Sequence, residues 1–410
     1  MWRRWFARVD QVWLEVTAFL SILFFVFLAD AVFSDFVPAF MQRVLGSPLV
    51  MGIVMSTSSA AGLVLDLLFA KLLRGTSLRR MVLYAIAGCM AFGTLLMFAT
   101  VRPWLIILIP AMMVWGLYYE FFGFSGQKFV VDTVVRDKRS MVWGVMFTIQ
   151  SLAYALGPLL SEWLLQFGDR VVIGVALVMI FLGVFLFLLL HLPTREPTID
   201  IVDVTLRSEL SHWRVLFLHM WPILVLSVLL GLVDATFWTT GTVVTDELAK
   251  QSAAGSFFLT TYMIPSLLVG FVLARWHIVV GKKKRAEWLV LLNGLILAGM
   301  FLFHSVWWYL IVVFVSSFLN GIAWPLVNAV YTDLLARAGR ERKHMMGLQN
   351  STSDIAYVVG PILAGWLAQV FGELGSFIAL GWIVAAVSLF LLFVTPKKLK
   401  LPQTEIASWE

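Results

Sequence analysis

Four carboxylates stand inside long apolar runs of this sequence: Asp30, Glu120, Asp234 and Asp354. A charge held among aliphatic and aromatic side chains is costly, so such a residue faces a cavity or a partner and marks a path for ions or solutes. Burial disfavours the charged form of a carboxyl group, which lets it take up a proton near neutral pH and exchange it against another ligand. Asp30 and Asp234 lie about two-thirds of the way along their runs, while Glu120 and Asp354 lie nearer one end. At helical spacing Glu120 shares a face with Gly116, Gly123 and Gln127, and Asp354 shares one with Asn350, Ser351 and Tyr357. The competing reading of all four is a helix-packing carboxylate bonded to backbone. Neutral residues supply a candidate cavity lining: Gln150 and Tyr154, then Thr261, Tyr262 and Pro265, then the series Asn320, Trp324, Asn328 and Tyr331. Trp238, one turn beyond Asp234, is placed to shield its carboxylate or to stack on a cation. Aromatic stripes of this kind also serve as packing or as interface belts.

The elements that must position these groups are membrane-spanning helices. Of 410 residues, 61% are hydrophobic and 13% charged, and the mean hydropathy is +0.92. A chain so apolar has too little polar surface to face water, so its solvent is lipid. Runs long enough to span occur at about 13–38, 49–70, 81–100, 104–126, 141–165, 171–192, 215–243, 254–276, 286–306, 307–330, 345–370 and 375–395. The reading is an all-α integral membrane protein of twelve helices, with the lead-in MWRRWFARVDQVWLEV as an amphipathic surface segment rather than a cleaved signal. With the N-terminus inside, all but Arg43, Arg102, Arg170 and Lys250 of the 30 Lys and Arg residues fall on inner segments. Both termini are therefore expected in the cytoplasm, and the net charge of +6 reflects topology rather than nucleic-acid binding. The expected location is a prokaryotic inner or plasma membrane.

The chain repeats itself. QSLAYALGPLLSEWL at 150–164 recurs as SDIAYVVGPILAGWL at 353–367, so Tyr154, Gly157 and Pro158 correspond to Tyr357, Gly360 and Pro361 at an offset of 203. Asp30 and Asp234 match at 204, and Asp132 and Asp333 at 201. The division is an N-terminal six-helix bundle at 1–192, a polar linker at 193–214, a C-terminal bundle at 215–395 and a tail at 396–410. Small residues every fourth position in each repeat, Ala153-Gly157-Ser161 and Ala356-Gly360-Ala364, provide faces for close helix packing. Pro158 and Pro361 bend those helices, so the repeat carries geometry rather than chemistry. Duplication makes Asp30 and Asp234 pseudo-symmetric, and they are expected to face each other across a central cleft.

This arrangement resembles the major facilitator superfamily, most closely its drug:proton antiporter branch. The segment FVVDTVVRDKRSMVWG, with Asp132, Arg139 and Gly144, is similar to the family's passage between helices four and five. Gly157-Pro158 matches its fifth-helix motif, Asp35-Phe36-Val37-Pro38 its first-helix end, and Gly62 with Asp66 its gating loop. The resemblance implies a secondary transporter whose halves rock about a midplane site. It implies gating or structural roles for Gly62, Asp66, Asp132, Arg139, Gly157, Pro158, Asp333, Gly360 and Pro361. The implied activity is proton-coupled efflux of cationic or amphipathic molecules, with Asp30 and Asp234 as the central acids and Glu120 and Asp354 as further ones. Two other readings stay open: uptake of a neutral sugar or nucleoside, and a lipid flippase or transporter-like sensor. The expected partners are a small-molecule substrate, protons and the bilayer, with the chain acting as a monomer.

Enzyme chemistry fits poorly. Gly123-Phe124-Ser125-Gly126 has the form of an intramembrane serine-protease motif, but His304 falls near the opposite end of its own helix. The six histidines and the lone Cys89 have no metal-ligand spacing, and no cofactor is expected.

Overall fold

The run that carries Asp30 forms a single helix, α1 (Trp2–Leu45), which absorbs the amphipathic lead-in and continues through Pro38. The structure is a computed structural model that describes residues 2–72, 76–134, 139–190, 206–275, 281–335, 342–396 and 399. The first half continues with α2 (Pro48–Leu72), α3 (Leu78–Ala99), α4 (Leu105–Thr133), α5 (Arg139–Leu165) and α6 (Asp169–Leu189). The second comprises α7 (Leu206–Phe237), α8 (Thr240–Gln251), α9 (Phe258–Arg275), α10 (Lys282–Ala298), α11 (Val306–Leu335), α12 (Arg342–Phe371) and α13 (Glu373–Val394). The described residues contain no strand.

The predicted seventh run is divided at Trp238-Thr239 into α7 and α8. A cluster of threonines explains the break. Thr236, Thr239 and Thr240 turn their hydroxyls back onto the carbonyls of Leu232, Ala235 and Thr236 at 2.8, 2.7 and 3.2 Å. Such bonds compete with the helical ladder and loosen it. Ten described stretches are long and apolar enough to cross a membrane, one of them running through this break from Trp213 to Gln251. α5 and α9 are outside that set. α5 carries Gln150, Ser151 and Tyr154 near its middle, and the apolar stretch described at α9, Ala253–Val269, which includes the 3-10 turn before it, is short.

Two compact units emerge. One takes Met1–Gly46 and Thr57–Ile201, the other Ser47–Ser56 and Val202–Glu410. Within them the packing is duplicated: α1 lies on α5 and α6, as α7 lies on α12 and α13, and α3 lies on α4 and α6, as α10 lies on α11 and α13. The turns into the last helices repeat as well. Gly168 and Gly372 adopt φ +102° and +79°, which L side chains rarely adopt, and each precedes an acid, Asp169 or Glu373, in the first helical turn. α6 and α13 present large bare side chains such as Phe181, Leu188 and Phe393, the last 83% exposed, which suit a lipid boundary.

Candidate functional site

Asp30 is 0% exposed, on α1, which packs against α5 and α6, and it is reached by side chains from α4 and α5. The indole N–H of Trp115 on α4 donates to its Oδ1 at 2.7 Å. The phenol of Tyr154 on α5 donates to its Oδ2. Tyr119, one turn after Trp115, lies beside this site, its ring 5.7 Å from the indole between centroids and its hydroxyl 3.4 Å from Ser34. Stacking holds the indole in place: Phe92 lies parallel to it with centroids 4.6 Å apart, and Phe33 meets Phe92 edge-on. Neutral donors thus replace the hydration that burial removes, without which a buried carboxylate is strongly unfavourable.

Asp234 repeats the theme with different partners. Tyr262 on α9 donates to Oδ1 and Tyr357 on α12 donates to Oδ2, both at 2.6 Å. Phe237, three residues after Asp234, stacks on the Tyr262 ring at 3.9 Å between centroids. Unlike Asp30, Asp234 is only half-buried.

The repeated glycine explains why one tyrosine reaches each acid. A Cβ at Gly157 would lie 2.4 Å from the Cβ of Ala31, and one at Gly360 would lie 2.4 Å from the Cβ of Ala235. Both alanines directly follow the aspartates. Glycine therefore lets α5 and α12 close onto α1 and α7, and Tyr154 and Tyr357, three residues earlier, fall within bonding distance of the carboxylates. Pro158 and Pro361 are buried beside these contacts.

The other expected residues divide. Asn320 on α11 joins the Asp234 site, its amide 3.5 Å from the Tyr262 hydroxyl. Tyr331 is buried and bonds Ser227 of α7 at 3.0 Å. Asn328 is exposed and does not share their surroundings. Helical geometry gives the reason: eight residues leave Asn328 about 80° round the helix from Asn320, whereas eleven bring Tyr331 back within about 20°. Trp238 and Trp324 pack, half-buried, against the apolar core of the second unit. Gln150 is half-buried one turn before Tyr154. Glu120, also half-buried, leans over Gly62, where a Cβ would lie 2.9 Å from its Oε1, so Gly62 makes room for that carboxylate. Asp354 is half-buried three residues before Tyr357. Asp333 pairs with Lys282 at 2.7 Å, joining α11 to α10. The side chains of Asp66, Gln127, Asp132, Arg139 and Asn350 lie outside the described ones.

Sequence reasoning missed Trp115 and Tyr119, although their spacing of four on the helix of Glu120 is a usable signal. It also missed Asn293, an amide in the apolar run LVLLNGLIL, and Glu287, concealed among the basic residues of KKKRAEW. Lys283 and Glu287 meet at 2.5 Å while 3% and 0% exposed, and Lys284 reaches the other carboxylate oxygen at 2.9 Å. Thr395, just after α13, bonds Lys283 at 2.5 Å and Glu287 at 3.0 Å.

A duplicated helical membrane protein with one dressed acid in each half has the build of a transporter. The Major Facilitator Superfamily family model matches residues 19–340 and 223–409, and the chain belongs to that superfamily. It is 24% identical over 400 residues to sugar efflux transporter A of Escherichia coli (strain K12), covering 93% of this chain and 95% of that one. Among solved structures, a proton-dependent oligopeptide transporter matches at TM-score 0.73 and 15% identity, covering 94% of this chain and 99% of the other. The nucleoside transporter NupG matches at 0.70 and 14%, covering 92% and 98%. At that identity these structures establish the fold. The protein is accordingly an integral membrane transporter and not an enzyme.

Proposed function

We propose that the protein exports small polar solutes of the sugar class by proton-coupled alternating access, with Asp234 binding the solute and Asp30 carrying the proton. The observation that supports this most is the half-buried Asp234 carboxylate held by two phenol hydroxyls, with an asparagine amide beside one of them. Sugar hydroxyls offer the same donor chemistry as those phenols and can bond the half-buried carboxylate alongside them, since a carboxylate accepts about four hydrogen bonds, while the aromatic faces suit the apolar side of a pyranose. Similarity over nearly the whole chain to a protein named as a sugar efflux transporter supports the same solute class. Asp30 is sealed from solvent behind aromatic donors, an arrangement suited to holding a proton rather than a bulky ligand.

A second reading, efflux of cationic amphipathic compounds, draws on the same aromatic groups. Trp115 and Tyr119 lie 5.7 Å apart between centroids beside a carboxylate, a combination that also attracts cations. Proteoliposomes with an imposed pH gradient separate the two. A radiolabelled methyl glycoside should move against its gradient and stop when the pH gradient is collapsed, while ethidium should not move. Ethidium transport without glycoside transport would select the second reading.

A further inference from the structure

Behind Tyr262 lies a chain of buried polar groups that crosses three helices of the second unit. The Ser316 hydroxyl on α11 donates to Asn293 Oδ1 on α10 at 2.6 Å. Asn293 Nδ2 donates to Asn320 Oδ1 at 3.4 Å, and Asn320 Nδ2 donates to the Tyr262 oxygen at 3.5 Å. Tyr262 then donates to Asp234 at 2.6 Å. Ser316 and Asn293 are 0% exposed, and Asn320 and Tyr262 are each 3% exposed. Ser317, next in sequence to Ser316, ties its hydroxyl to the Tyr262 carbonyl and fixes that ring's backbone as well.

Every bond in this chain points the same way. Each group accepts from the one behind it and donates to the one ahead, and the last acceptor is the carboxylate. Bonds in such a series polarise one another, so the far donors strengthen the phenol that meets Asp234. Burying two amides and a hydroxyl in a membrane protein is costly unless they are mutually satisfied, and aliphatic residues would fill the same space without that demand. At the 201-residue offset that relates Asp132 to Asp333, Asn293, Ser316 and Asn320 correspond to Phe92, Trp115 and Tyr119. The first half fills those positions with aromatic side chains, of which Trp115 bonds Asp30 directly and Phe92 stacks on that indole. The amide-and-serine chain is therefore not required by the repeated fold and is peculiar to Asp234.

We infer that Asn293 and Ser316 are positioning residues for the Asp234 site: through Asn320 they hold Tyr262 as a polarised donor and so set how strongly Asp234 is engaged. Apart from Asp234, the titratable groups in this arrangement are Tyr262 on α9 and Tyr357 on α12. The inference rests on Asp234 being a functional carboxylate, as proposed above, but its test does not need the solute to be known.

Infrared difference spectra of the purified full-length protein, recorded between acid and neutral pH, contain carboxyl C=O bands. The Asp234 band is identified by its loss in Asp234→Asn, and the Asp30 band by its loss in Asp30→Asn. In Ser316→Ala and Asn293→Leu the Asp234 band should move to higher wavenumber, because its carbonyl receives a weaker bond, while the Asp30 band stays in place. Ser316→Thr, which keeps the hydroxyl, should restore the original position. An Asp234 band unmoved in both variants, or two bands that move together, would overturn the inference. If Asn293→Leu does not fold, the small change Ser316→Ala decides alone. Where methyl glycoside counterflow is measurable, Ser316→Ala should raise KM about five-fold with little change in maximal rate. An equal fall in rate with unchanged KM contradicts a role through Asp234. Loss of all glycoside transport in the parent protein would remove the sugar assignment and leave the infrared result standing.

Discussion

In the first half, Asp30 receives an indole N–H and a phenol O–H from α4 and α5 and is closed off entirely. In the second half, Asp234 receives two phenols from α9 and α12, stays half-buried, and is backed by a chain of amides and a serine. Only the aspartate and the tyrosine of the Gly-Pro repeat are common to both. At the offset of Asp132 and Asp333, the position equivalent to Trp115 is Ser316, which serves Asp234 only through Asn293, Asn320 and Tyr262. Duplication preserved the device that brings a tyrosine onto an acid, while the remaining donors diverged. A sealed acid and an accessible acid can then do different work on one scaffold.

The ends of the helices differ between the halves as well, and here the largest change in stability is expected. α10 and the end of α13 are joined by the buried Lys283–Glu287–Lys284 cluster and Thr395, whereas on α3 and α6 Arg79 only rests over the Phe187 ring at 5.6 Å. Glu287→Leu should cost about 3–5 kcal/mol, because it strands buried ammonium groups. Arg79→Met should cost about 0.5–1 kcal/mol. Unfolding in detergent by urea titration compares them, and similar losses would erase the distinction.

Glycine contacts give the next effect. A Cβ at Gly157 meets the backbone carbon of Ala31 at 2.7 Å as well as its Cβ, while at Gly360 the atoms beyond the Ala235 Cβ are 3.7 Å away or farther. Both alanine variants should destabilise, Gly157→Ala the more so by about 1–3 kcal/mol because it meets backbone as well as side chain. Thermal unfolding of the two variants checks the order. Smaller still, Tyr357→Phe should weaken solute binding by about 1 kcal/mol, whereas Tyr154→Phe should alter the response to the pH gradient and leave solute KM near its parent value. Equal KM changes would place both acids in the solute site.

Much of this was legible in the sequence because the constraints were local or repeated. Apolar length marked most spans, and the 203-residue offset tied Tyr154 and Gly157 to Tyr357 and Gly360. The acids declared themselves by their cost in lipid. What stayed hidden depended on rotation about a helix axis or on partners distant in sequence. Asn328 looked equivalent to Asn320 by spacing alone, yet an i+4 series drifts round the helix. Trp115 gave no sign of bonding Asp30, 85 residues away. The break at Trp238-Thr239 came from threonine hydroxyls that no hydropathy window registers.

The division of labour between the two acids is tested most directly by one paired measurement in proteoliposomes. Gradient-driven efflux and solute counterflow are recorded with a radiolabelled methyl glycoside for Asp30→Asn and Asp234→Asn. Asp30→Asn should lose gradient-driven efflux and retain counterflow, because exchange needs no net proton movement; Asp234→Asn should lose both. Retained counterflow in Asp234→Asn, or its loss in both variants alike, would contradict the account.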